Sequence, residues 1–129
     1  MIFLNYLQPT QLQIYNTLRQ ANVIVVENHK SCNPKGKWDG WTLTPRDRRN
    51  SYKKTMLVMC TDSIQSVYED WKLEINRTIA HESIHVAQAC KEGHDGLETI
   101  GFRKDLEKEA FAVQDNPKEV LRILKKYCL

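Results

Sequence analysis

The segment His81-Glu82-Ser83-Ile84-His85 sets two imidazoles four residues apart, with a carboxylate directly after the first. Residues at that spacing lie one above the other on a helix face, so both rings can reach a single ion. Zn2+ is the metal such a pair favours, and it needs a third protein ligand and one position open to water. Glu82 stands where it can hydrogen-bond that water and take its proton, which is the part of a general base. The ordinary alternative is a surface helix on which two histidines happen to bracket a glutamate.

His29 and His94 are the only other histidines, and neither falls at the helix-spaced position after His85 that would complete a three-histidine site. The third ligand is therefore read as a carboxylate. The stretch from Leu106 to Gln114 offers Glu107 and Glu109, but residues two apart on a helix point in very different directions, so only one can face the ion. Glu107 is preferred because Ala110 and Gln114 share its face, and a small residue there lets one helix approach another. Glu109 is the second choice and Glu98 the third. Either glutamate could instead be a solvated charge on a helix whose other face is core.

These side chains need elements to hold them. From Trp71 to Glu92 the chain has no Gly or Pro, and Gly93 follows as a stop, which predicts one long helix. Stepping about 100° per residue groups Thr78, His81, Glu82, His85 and Gln88 in a polar sector. Leu73, Ala80, Ile84 and Ala87 flank it on one side, and Ile75, Ile79, Val86 and Cys90 on the other. Two apolar stripes predict a helix packed on both sides and open at a cleft.

Thr10 to Gln13 reads as a capping box opening a first helix that runs to about Gln20. Val23 to Val26 predicts a strand with both faces covered, inside a sheet, between Asn22 and Asn28. Trp41 to Thr44 and Thr55 to Cys60 are the other strand-like runs, and Thr61-Asp62 offers a turn or helix cap. A helix near Phe102 to Gln114 and a last one, capped by Asn116-Pro117 and ending at Tyr127, complete the chain. Trp71, Phe102, Leu121, Leu124 and Tyr127 read as packing residues. The expectation is one α+β domain over residues 1–129: an N-terminal helix, a small three-stranded sheet, the long site helix and two C-terminal helices.

The composition, 41% hydrophobic and 27% charged, suits a packed soluble protein. A net charge of +3, from 19 basic and 16 acidic residues, is too even for sequence-independent nucleic-acid binding by a broad positive field. Arg46, Arg48, Arg49, Lys53 and Lys54, with Trp38 and Trp41 nearby, leave a minor nucleic-acid reading open. The opening residues have no basic start and their apolar run is broken by Asn5, Gln8 and Pro9, so a soluble, intracellular protein without a membrane span is expected. Cys32, Cys60, Cys90 and Cys128 form no C-x-x-C pair; reduced thiols are the default, with one or two disulfides as the alternative.

His81, Glu82, His85 and the Glu107-Lys108-Glu109-Ala110 segment resemble the gluzincins, zinc peptidases that draw two ligands from His-Glu-x-x-His and a glutamate from a later helix. The order of helix, strands, site helix and glutamate helix is similar to the compact minigluzincins. A narrower likeness, carried by Cys32, the strand ending at Cys60, and Cys90 placed five residues after His85, is to the mitochondrial inner-membrane peptidases that mature an ATP synthase subunit. The helix after the site lacks that family's cysteine pattern, so its compartment and substrate do not carry over.

The resemblance implies a protein or peptide substrate, with zinc polarising the scissile carbonyl and Glu82 moving the proton. It also implies a sheet-edge strand holding the substrate, for which Thr55 to Cys60 is the candidate, and an oxyanion helper among His94, Tyr52 and Tyr127. The competing expectation is an inactive zincin-like binding module with structural zinc. Cys128 as a fourth, latency-conferring ligand is a remoter one, and oligomeric state is not legible.

Overall fold

The structure is a computed structural model that describes residues 1–43, 54–92 and 104–129. Its fold is α+β. Five α-helices, α1 (Pro9–Gln20), α2 (Thr61–Val67), α3 (Trp71–Glu92), α4 (Lys104–Val113) and α5 (Pro117–Cys128), accompany three short strands, β1 (Ile24–Glu27), β2 (Gly40–Leu43) and β3 (Met56–Met59). Single 3-10 turns form at Ile2–Tyr6 and Lys30–Cys32.

β3 is the middle strand, parallel to β1 and antiparallel to β2. Thr55 to Cys60 is thus paired on both sides and cannot accept a substrate by strand addition, which corrects the expected edge strand. β1, expected inside the sheet, is an outer strand whose four residues are all half-buried. A β-branched run reports burial, not order: Val25 packs into the main core while Ile24 and Val26 pack on the opposite face of the sheet, so both faces are covered although, among the described residues, only one edge is paired. Asn22 and Asn28 bracket β1 with left-handed backbones (φ 64° and 54°), a conformation asparagine tolerates better than most residues.

One sheet face carries Leu57 and Met59 into a core shared with α1, α3 and α5, where Ile14, Leu18, Ile75, Ile79, Ile84 and Leu124 are fully buried. The other face, built on Met56, Val58 and Leu43, is closed by the Cys32–Cys60 disulfide. A second disulfide, Cys90–Cys128, ties the C-terminal end of α3 to that of α5. The default of reduced thiols is corrected: partners 28 and 38 residues apart in sequence meet only once the sheet and the α3–α5 pair have formed, which local spacing cannot reveal. Cys128 is therefore held away from any role as a metal ligand.

α1 begins at Pro9, with Gln8 as an N-cap that makes no side-chain cap bond. Proline at the first helical position starts the helix one residue before Thr10, so the expected capping box does not form. Buried Asn76 on α3 fixes the approach to α1: its Oδ1 accepts from Gln8 N (2.8 Å), and its Nδ2 donates to the Tyr6 and Lys72 carbonyls (2.9 Å each). Asn116 caps α5 as expected, accepting from Glu119 N. Tyr68, after α2, donates to Asp39 (2.8 Å) ahead of β2, and this bond helps push its phenol up to about 12, so it stays a donor. Leu73 departs from the two-stripe pattern and is exposed.

Candidate metal centre

α3 carries its polar sector inward, with Thr78, Glu82, His85 and Gln88 all buried and His81 half-buried. The sector is covered by β2 on one side and α4 on the other. Gly40 makes the first approach possible, because a Cβ there would lie 2.6 Å from the Val58 carbonyl oxygen and 2.9 Å from the Thr78 methyl. Buried Ala110 and Leu106 seat α4 against α3. Small residues at both contacts bring a strand and a helix close enough to share one cleft.

Across that cleft Glu107 Oε1 lies 3.2 Å from His81 Nε2 and directly against His85 Nε2. The two rings sit edge to face, with centroids 4.9 Å apart. Four equal ligands around zinc at its usual nitrogen and oxygen distances would stand roughly 3.4 Å apart; the His81–Glu107 separation is close to that, and the His85–Glu107 contact is closer than ligands of one ion would stand. Glu109 points elsewhere and accepts from Gln88 Nε2 at 2.8 Å. Of the two candidate glutamates, only Glu107 meets both histidines.

The far sides of the rings are tied by amides: His81 Nδ1 to Gln114 Oε1 (3.0 Å) and His85 Nδ1 to Gln88 Oε1 (2.8 Å). Gln88 has no freedom to reverse. Its Nε2 faces two acceptors, the Leu106 carbonyl (3.0 Å) and Glu109, so its oxygen must face His85, and His85 Nδ1 must carry the hydrogen. In the neutral ring, Nε2 is then a bare lone pair aimed at a carboxylate oxygen. Two acceptors facing each other make an arrangement that a proton or a nearby metal ion would satisfy, and the donor set of two imidazoles and one carboxylate fits zinc.

Glu82 faces the same centre from β2's side. Its Oε1 accepts from the Thr42 hydroxyl (3.0 Å) and its Oε2 lies 4.0 Å from His81 Nε2, so all three motif side chains offer a ligand atom within 4.8 Å of one another. Burial pushes the Glu82 carboxyl above the ordinary carboxylate range, opposed by the His85 and His81 rings and by the Thr42 hydroxyl. Phe111, one turn beyond Glu107, rests its exposed ring 4.6 Å from that of His81. Ser83, inside the motif, is fully buried, and its hydroxyl has no partner among the described residues.

A family described as a domain of unknown function (DUF8637) matches residues 3–102, from the first 3-10 turn through α3. This chain belongs to the DUF8637 family. No curated protein and no solved structure matches it. The matched span of the DUF8637 domain includes His81, Glu82 and His85, whereas α4, with Glu107, follows it.

Sequence reasoning missed Thr42, whose only signal is its place in a short strand, and it gave Gln88 and Gln114 a face without a task. The remaining candidates fall elsewhere. Tyr127, near the end of α5, has the Lys91 and Lys126 ammonium groups 5.4 and 5.2 Å from its ring centroid. His94, Tyr52, Glu98, Phe102, Gly93 and the basic residues 46, 48, 49 and 53 lie outside the described residues. Trp38 and Trp41 stack in parallel with centroids 6.1 Å apart, and the Trp41 indole donates to Ser31 Oγ (2.9 Å).

Proposed function

We propose that this DUF8637 domain is a zinc-dependent peptidase of gluzincin type, in which His81, His85 and Glu107 hold the metal and Glu82 is the general base. The observation that carries the reading is the meeting of two imidazole Nε2 atoms and one carboxylate oxygen at a single point, with the His85 proton accounted for on the other nitrogen. A bound zinc supplies Lewis acidity toward a water molecule and a substrate carbonyl. Thr42 holds one oxygen of Glu82 and leaves the other turned toward the metal position. That oxygen takes the proton of the attacking water and passes it to the leaving amine. Burial favours the protonated form of Glu82, which suits a base that must also act as an acid.

Two disulfides further support an oxidising compartment as the place of work, in place of the intracellular setting expected from the sequence. No helix among the described residues is long and apolar enough to cross a membrane.

The test is hydrolysis of an unstructured polypeptide, such as reduced and carboxymethylated casein, by zinc-loaded protein. Glu82→Gln is expected to retain zinc and lose at least about a hundredfold of the rate. Cleavage that persists in Glu82→Gln, or that survives a chelator, contradicts the mechanism; wild type that binds zinc without cleaving favours the binding-module reading.

A further inference from the structure

Building on this metal reading, we infer that Gln88 is a positioning residue that sets the His85 tautomer and the placement of the ligand helix α4 together. Its side chain is buried (5% exposed) and every polar atom of its amide is engaged. The oxygen accepts from His85 Nδ1 on its own helix, and the nitrogen donates to the Leu106 carbonyl and Glu109 Oε1 on α4. Leu106 precedes Glu107 directly, so the backbone group that Gln88 holds is the one that leads into the third ligand. One side chain thus presents a ring nitrogen to the metal position and draws the opposing carboxylate onto it.

Glu109 acquires a task by the same geometry. It is not a ligand; it anchors the Gln88 amide in the single orientation that makes His85 Nδ1 the donor. Gln114 contacts His81 in a comparable way, but no second bond to its amide is found among the described residues, so the coupled pair of bonds is seen on the His85 side.

Two readouts separate this role from mere packing. The first is the ring 15N shifts of His85 in metal-free protein, which report the tautomer whether or not zinc binds. The second is zinc affinity, by competition with a chromophoric chelator. Gln88→Leu is expected to lose the Nδ1–H preference and to weaken zinc about 10- to 100-fold, the usual cost of losing such a supporting partner.

Gln88→Glu combined with Glu109→Gln keeps an acceptor for His85 and supplies a new donor from position 109, but it turns an acceptor toward the Leu106 carbonyl and so gives up the bond that holds α4. This pair is expected to retain the Nδ1–H tautomer while zinc affinity stays below that of wild type, which separates the tautomer role from the placement of α4. The inference is overturned if Gln88→Leu keeps the wild-type tautomer and affinity, or if the double variant loses the Nδ1–H tautomer or binds zinc as tightly as wild type. Wild type that shows the Nδ1–H tautomer yet takes up no zinc would overturn the metal reading while leaving the tautomer role intact.

Discussion

The chemistry of this molecule concentrates in a few side chains whose protons can be traced. Because Gln88 can only accept from His85, the His85 Nε2 lone pair and Glu107 are left facing each other, an arrangement that the proposed zinc would satisfy. His81, Glu82 and His85 are legible in the sequence because helix periodicity alone converts a spacing of four into a shared focus. Glu107 is legible one step further away, through the small Ala110 on its face, although that argument left Glu109 standing as an alternative. Thr42 is not legible, since nothing local distinguishes a threonine that meets a carboxylate forty residues away from any other strand threonine. Ser83 is a different case: its buried hydroxyl has no partner among the described residues, so nothing there offsets its desolvation. Ser83→Ala is therefore expected to leave zinc binding unchanged and to raise stability by up to about 1–2 kcal/mol, read from the urea midpoint. A drop of that size would mean the hydroxyl has a partner.

At the scale of elements, the site is made by two close approaches to α3. The long helix is written plainly in its uninterrupted run from Trp71 to Glu92, and the two C-terminal helices follow from spacing and the Asn116-Pro117 cap. Strand order was not readable. Three short apolar runs of similar composition do not reveal which lies in the middle, and β3 takes that place because its residues are buried on both faces and paired on both edges. Gly40 is the residue on which the β2 approach turns. Gly40→Ala would force its methyl onto the Val58 carbonyl and the Thr78 methyl, and is expected to cost about 1–3 kcal/mol, as overpacking does. It should also shift Thr42 from Glu82, so activity should fall by more than zinc affinity does. Unchanged stability and activity would show that β2 can move away without consequence.

For the molecule as a whole, two covalent links brace the frame around the centre. Cys32–Cys60 closes the outer face of the sheet, and Cys90–Cys128 pins the end of the site helix to α5. Neither pairing could be read from spacing, because each is a product of tertiary structure. Closing loops of these lengths (sequence separations 28 and 38) restricts the unfolded chain by about 3.5–4 kcal/mol per link in a chain-entropy account. A domain's stability is about 5–15 kcal/mol in total, so losing one link is serious. Cys90→Ala with Cys128→Ala is expected to lower the thermal midpoint by on the order of 10 °C, and the same should hold for Cys32→Ala with Cys60→Ala. Midpoints unaffected by either pair, or by reductant, would show that packing alone sustains the frame.

The central claim is that His81, His85 and Glu107 together hold one zinc ion. Zinc content per chain, measured on protein purified without added metal, tests it directly across wild type, His85→Ala, Glu107→Ala and Glu109→Gln, the last of which keeps an acceptor for Gln88. The account predicts one zinc per chain in wild type and in Glu109→Gln, and well under one in His85→Ala and Glu107→Ala. A Glu107→Ala protein that keeps a full equivalent of zinc, or a wild type that carries none and takes up none when zinc is supplied, would contradict it.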